Sequence, residues 1–399
     1  MASDGGNLSL PSEIVINILK RLPVKSIVRF RSVCKNWKNL FKTPHFIAEH
    51  ARHSSHENPL LLLHEKDFGS NGKPPSLRLL NYNMETIEVL SIPSIDCLKH
   101  GWKIIGSCNG LLCAGVDLDP DGSPRSLCLW NPVIREVREI PLTTTTKDYW
   151  GLCEFGFGFS SNFNDYKIVK FYIPELRKKK KKRQPYNADL LEHHRSEVYS
   201  LSTGLWKKLE FGALPKTTII SKNISAEGND GTILFLGEKD NLPVLVSFDI
   251  ATEVFRLTQI PLPRDLPTAI GVYQNKLAMF RHCNISFHSI HIWAMDEVAG
   301  ESGKSFSFTE EFKHCIISYF FHPLCIWRNE IVCVDKERWH LDEDEDEDEC
   351  YDESVYFLRL LNLTTKKWKE FYKVSSSYDW CDGFSYERSL GSVWNAQVE

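Results

Sequence analysis

Leu10 to Phe46 reads LPSEIVINILKRLPVKSIVRFRSVCKNWKNLFKTPHF, and the spacing of its apolar residues decides how the rest of the chain is read. Pro11 suits a first helical turn, where its missing N–H costs nothing, and Ile14, Ile18 and Leu22 then fall on one stripe with Val15 and Leu19 beside them. Pro23 closes this helix and opens a second, in which Val24, Ile27, Val28 and Phe30 are apolar among Lys25, Ser26 and Arg29. A third short helix carries Val33, Cys34, Trp37, Leu40 and Phe41, and Thr43-Pro44 caps a fourth that ends near Arg52. Below about 40 residues a lone core is rarely sufficient. The helices are therefore expected to need a partner surface.

Leu10-Pro11, Glu13-Ile14, Ile18-Leu19, Arg21-Leu22-Pro23-Val24-Lys25-Ser26, Arg29-Phe30-Arg31, Val33-Cys34-Lys35 and Trp37 together resemble the F-box of plant F-box proteins. The resemblance implies docking on a Skp-type adaptor, which joins such proteins to a cullin scaffold, and makes the chain the substrate-choosing subunit of a ubiquitin ligase. It places Leu10, Pro11, Ile14, Ile18, Leu19, Leu22, Pro23, Val33, Cys34 and Trp37 in the F-box signature as the adaptor-binding set, some of which must pack the module itself. The amphipathic pattern taken alone also fits an ordinary helical cap on a larger domain.

A chain of 399 residues, 42% hydrophobic and 25% charged with a formal net charge of −4, fits a soluble protein of two domains and does not favour a nucleic-acid partner. The N-terminus shows no charged-then-apolar leader. The most apolar later stretch, Cys315 to Trp327, is interrupted by Ser318, His322 and Pro323 and is too short to span a bilayer. No membrane partner is expected, and the cytoplasm, with the nucleus as a second location, is the expected compartment. Twelve cysteines without a C-x-x-C pair, several of them inside apolar runs (Cys113, Cys128, Cys333), fit buried reduced thiols better than zinc ligands or disulfides. No metal or other cofactor is expected.

Beyond Arg52 the apolar period changes from helical to alternating. Leu60 to His64, Ile104 to Ser107, Leu111 to Gly115, Tyr166 to Tyr172, Thr232 to Gly237, Lys276 to Phe280 and Ile331 to Val334 read as strands bounded by turn residues. A strand, a tight polar turn and a second strand recur from Leu79, Leu127, Glu197, Val244, Ile290 and Val355. Three of the five intervals match the roughly 45 to 50 residues of a four-stranded propeller blade. The two longer intervals hold the low-complexity runs Arg177 to Arg183 (RKKKKKR) and Asp342 to Glu349 (DEDEDEDE), and taking out each run with its flanks brings them near the same period. Six blades result, in a ring closed to avoid a free sheet edge. The first blade lacks one strand, and Phe384 to Val393 is the natural fourth.

GSCNGLLC from Gly106, LWNPVIRE from Leu129, FGFGFSSNFNDYKIVK from Phe155, EVYSLSTGLWKK from Glu197, SFDIATEVF from Ser247 and LCIWRNEIVCV from Leu324 are similar to the F-box-associated domain that comes after the F-box in a large plant group. The expected organisation is a small α-helical F-box at 8–52 followed by an all-β propeller of six kelch-like blades at 53–399, with loop inserts at 177–190 and 340–352. The group includes F-box/kelch-repeat proteins and the S-locus F-box proteins of pollen, whose implied ligands are secreted pistil ribonucleases. Both remain open, as does a propeller enzyme such as a kelch-type oxidase or glycoside hydrolase.

Asn109-Gly110 reads as a hairpin turn rather than a phosphate cradle, because LLCAG after it is strand-like. Trp130, Trp206, Trp293 and Trp368 read as blade packing. No Ser/His/Asp order, nucleophile elbow or carboxylate pair stands out, and an exposed apolar plug has no use in an enzyme. Substrate-contacting residues are not legible. The two charged runs read as solvated loops, or RKKKKKR as a nuclear-import signal; the sharper expectation is that both leave one face of the ring on opposite rims and steer a charged substrate, the acidic one meeting a basic protein such as a secreted ribonuclease.

Overall fold

A computed structural model describes residues 10–54, 60–65, 76–91, 102–118, 124–142, 151–174, 196–209, 217–219, 231–239, 242–260, 269–274, 276–283, 289–300, 303–315, 321–337, 355–374 and 381–394. Four helices come first: α1 (Ser12–Leu19), α2 (Val24–Phe30), α3 (Lys35–Leu40) and α4 (Pro44–Ser54). Among the described residues after them, every regular element is a strand. Their order is β1 (Leu60–Glu65), β2 (Ser76–Leu80), β3 (Thr86–Leu90), β4 (Trp102–Cys108), β5 (Leu111–Leu118), β6 (Pro124–Asn131), β7 (Glu136–Pro141), β8 (Gly151–Ser160), β9 (Asp165–Pro174), β10 (Ser196–Ser200), β11 (Leu205–Leu209) and β12 (Thr217–Ile219). The second half holds β13 (Thr232–Lys239), β14 (Leu242–Asp249), β15 (Val254–Gln259), β16 (Ala269–Tyr273), β17 (Lys276–Cys283), β18 (Ser289–Gly300), β19 (Gly303–Cys315), β20 (Phe321–Trp327), β21 (Glu330–Glu337), β22 (Val355–Asn362), β23 (Trp368–Val374) and β24 (Cys381–Tyr386).

The strands form six antiparallel four-stranded sheets. Five take consecutive strands, and the sixth has the order β24-β1-β2-β3, so the last strand of the chain completes the first blade. Leu60 to Glu65 pair in register with Tyr386 to Cys381, which closes the ring. The closing strand is thus Cys381–Tyr386, not Phe384 to Val393 as the sequence suggests, and the chain from 387 onward leaves the blade.

Each junction between blades is one apolar cluster, since a blade's two faces each need a neighbour. Leu77, Leu79, Trp102, Ile104, Leu112 and Tyr386 fill the junction of blades one and two. Leu61, Leu63, Trp327, Val332 and Leu358 fill that of blades six and one. In blade three the FGFGF run lets β8 lie close to β13: a Cβ on Gly156 would meet Ile233 Cγ2 and Phe235 Cζ at 2.5 Å. Cys113, Cys128 and Cys333 are buried, and burial pushes the Cys113 and Cys333 thiols well up. Trp130 is buried, whereas Trp368 is exposed on outer strand β23, so the repeated tryptophans do not share one role.

The outer hairpins explain the sequence period. An Asn or Asp ends the third strand of four blades, and its side-chain oxygen accepts backbone N–H groups two to four residues on: Asn81 from Asn83, Asn131 from Val133, Asp249 from Thr252 and Asn362 from Thr365. The turn then closes through a residue with positive φ: Met84, Arg135, Glu253 or Lys366, with Gly204 in the same place in blade three. Asn109 (φ 47°) and Gly110 (φ 75°) form the tight turn between β4 and β5 that their dipeptide predicts.

Candidate functional site

The two ends of the ring differ. Turns between the first and second and between the third and fourth strands lie at one end; connections between the second and third strands, and from blade to blade, lie at the other. The first end is mostly tight, with turns such as 109–110, 132–135, 201–204 and 328–329, although the connection 220–231 of blade four also falls there. The second carries the long connections 66–75, 91–101, 142–150, 175–195 and 338–354.

The helical module sits on the tight end. Leu19, Val24, Ile27, Phe41 and Phe46 are its buried core, and Leu390, Val133 and Ile134 of the propeller side pack into the same cluster. Full burial of such a side chain stabilises by about 1.5–3 kcal/mol. Phe41 and Phe46 pack ring to ring at 5.1 Å, and Phe30 and Trp37 at 5.7 Å. His50, buried, holds the backbone carbonyl of Leu22 through Nε2 at 2.8 Å, and Lys20 donates to Glu49 at 3.3 Å; together they tie α4 to the end of α1. Part of the apolar surplus read from the sequence is therefore met by the propeller.

The helix ends also differ from the sequence reading. Pro11 and Pro23 are not inside a first turn; each occupies the N-cap with extended ψ (143° in both). The preference of proline for φ near −65° serves at this position too. Cys34 is the N-cap of α3, its Sγ accepting from the backbone N–H of Trp37 at 3.4 Å, so Val33 and Cys34 precede that helix. Thr43 caps α4 as expected, its Oγ1 accepting from Phe46 N–H, and that helix runs on to Ser54.

The ten signature residues divide by exposure. Leu10 (61%), Ile14 (47%), Ile18 (51%) and Val33 (60%) are large apolar side chains in solvent, with Pro11, Pro23 and Cys34 exposed among them. Leu22 and Trp37 are half-buried against the module's core, and Leu19 lies wholly inside it. Ile14 and Ile18 are four apart and so share a face of α1, and Leu10 is exposed just before the helix. The core is full without this stripe, so it is available to a partner.

Several features escaped the sequence reading. Ser389, Leu390 and Val393 belong to the F-box end, a role that no local pattern marks. Ser289, His291 and Glu310 form a hydrogen-bonded line, Oγ to Nε2 at 3.1 Å and Nδ1 to Oε1 at 2.6 Å. Because Ser289 is 7% exposed, the line pins β18 to β19 rather than presenting a nucleophile. No group of three metal-ligating side chains is found among the described residues, and no helix among them is long and apolar enough to cross a membrane.

Comparison with known proteins assigns both parts. Residues 7–48 match the F-box domain, and residues 75–393 match the F-box associated beta propeller domain. An Arabidopsis thaliana F-box/kelch-repeat protein is 24% identical over 351 residues, covering 82% of this chain and 85% of its own. From the same plant, another F-box protein is 27% identical over 297 residues (73% of each chain), and F-box/WD-40 repeat-containing protein 1 is 25% identical over 318 residues (78% and 70%). An F-box implies binding to a Skp-type adaptor, and family members are in general non-catalytic substrate receptors. The chain belongs to the plant F-box proteins that carry an F-box-associated β-propeller.

Proposed function

We propose that this chain is the substrate-recognition subunit of a Skp-cullin-F-box ubiquitin ligase, docking on the adaptor through Leu10, Ile14, Ile18 and Val33 and taking its target at the loop-bearing end of the propeller. The exposed apolar stripe beside a filled core carries the first half. The second rests on the asymmetry of the ring, because binding residues collect on loops held by a rigid scaffold. The F-box occupies the opposite end, which leaves the long connections free for a protein target.

Transfer chemistry belongs to the other subunits; this chain raises the local concentration of target lysines near the charged conjugating enzyme. The expected compartment is the cytoplasm or nucleus. Reconstitution with adaptor, cullin and conjugating enzyme tests the reading. A protein captured by the propeller is expected to be ubiquitinated, and retained transfer without the F-box would overturn it.

The connections 175–195 and 338–354 contain the basic and acidic runs, which lie outside the described residues. Each joins the second to the third strand of its blade, β9 to β10 in blade three and β21 to β22 in blade six. Both therefore join the ring at its loop-bearing end, three blades apart and so on opposite rims. This placement supports the electrostatic-steering reading of a charged target. The narrower reading, a pollen S-locus receptor for a basic secreted ribonuclease, draws on the acidic run, and direct binding of such a ribonuclease tests it.

A further inference from the structure

After β24 the chain has closed the ring, yet it continues along the underside of the F-box. Arg388 donates to Glu88 of β3 at 3.1 Å, and Lys25 of α2 pairs with the same carboxylate at 2.8 Å. Asn131, fully buried at the end of β6, donates through Nδ2 to the carbonyls of Ser389 (3.1 Å) and Gly391 (2.7 Å) while its Oδ1 caps the turn at Val133. Leu390 enters the F-box core at 2% exposure, and Val393, at 0%, enters the cluster between blades two and three. Ser392 Oγ donates to Glu136 at 2.6 Å, and Trp394 lies against Arg138, whose Cζ is 5.6 Å from its ring centroid.

From this alternation of anchors we infer that 387–394 is a strap that holds the F-box in one orientation on the propeller, and that it is separate in role from the strand that closes the ring. One side chain goes up into the F-box, one down into the blades, and a buried asparagine grips the backbone between them. Other contacts between the two parts include Val133 and Ile134 in the helical core, the shared Glu88, and Arg31 near Glu136. The strap therefore fixes the adaptor-docking stripe relative to the loop-bearing end. This consequence for ligase geometry rests on the receptor reading; the strap itself does not.

Amide hydrogen exchange separates the two without any adaptor. In a chain ending at Tyr386, and independently in full-length Leu390→Asp, amides of 12–54 are expected to exchange about tenfold faster or more, with those of β14 and β17, which no residue of 387–394 packs against in the core clusters, unchanged. Unchanged exchange over 12–54 in both variants would overturn the strap. Equal acceleration in the blades would overturn it as well, because the segment would then belong to the ring.

Discussion

A Cβ placed on Gly110 would lie 2.4 Å from Ser389 Cβ and 2.6 Å from the Glu387 carbonyl oxygen, so the turn of blade two and the C-terminal strap touch with no room between them. Gly110 also has φ of 75°. Both constraints point the same way. Gly110→Ala is expected to cost on the order of 1–2 kcal/mol from the left-handed backbone alone, and more from the collision. Denaturant melting measures the total. Faster exchange over 12–54 in this variant would mark displacement of the strap.

Ring closure is expected to depend on β24 and not on the residues after it. A chain ending at Ser377 leaves β1 as a free edge and exposes the partners of Phe384 and Tyr386 in the first junction. It should lose cooperative melting of the whole propeller. The chain ending at Tyr386 should keep it, and similar melting of the two chains would contradict the assignment of Cys381–Tyr386 as the closing strand.

Exposure predicts different outcomes within the F-box signature. Leu19→Ala removes a core side chain and should destabilise the module by about 2–5 kcal/mol, lowering adaptor binding only through folding. Leu22→Ala should mix both effects, being half-buried against the same core. Ile18→Asp should leave melting unchanged and abolish capture. Paired melting and pull-down measurements on the three variants check the division.

Contact between F-box and blade one should weaken in acid. Burial raises the Glu88 carboxyl, but hydrogen bonds and charge from Lys25 and Arg388 outweigh it and hold the group below its ordinary value. A carboxylate depressed in the folded state stabilises above its unfolded pKa, about 4.3, and that contribution is lost as pH falls through the lower folded value. Protection over 12–54, taken relative to the intrinsic exchange rate at each pH, should accordingly be steady from neutral pH to about 4.5 and fall below it. Glu88→Gln should flatten that dependence.

Replacing Asp342 to Glu349 with a Gly/Ser linker should slow capture of a basic target severalfold at low salt and little at physiological salt, where the Debye length is about 8 Å. Dissociation should hardly change. Equal association rates at low ionic strength would leave the run as a solvated loop.

Much of this architecture was legible because its signals are local. The Asn or Asp that ends a third strand and the left-handed residue that closes its turn lie within a few positions of each other, so Asn131 with Arg135 and Asn362 with Lys366 mark their blades in the sequence itself. The first helix was legible for the same reason, through the four-residue spacing of Ile14 and Ile18, although it ends at Leu19 and leaves Leu22, expected on the same stripe, in the turn before α2. What failed was long-range. Phe384 to Val393 alternates enough to resemble one strand, but Leu390 answers to Phe41 and Phe46 in the F-box and Val393 to blades two and three. Nor does periodicity separate Leu19 from Ile18, since Leu19 is buried with Val24, Ile27, Phe41 and Phe46 from later turns of the module.

That the exposed stripe of the F-box is an adaptor-docking surface can be tested directly by calorimetric titration of a plant Skp-type adaptor into the purified chain and into Leu10→Asp/Ile14→Asp. One-to-one binding to the native chain and none to the variant is expected, with both melting alike. Equal heats and equal affinity for the two would contradict the docking role.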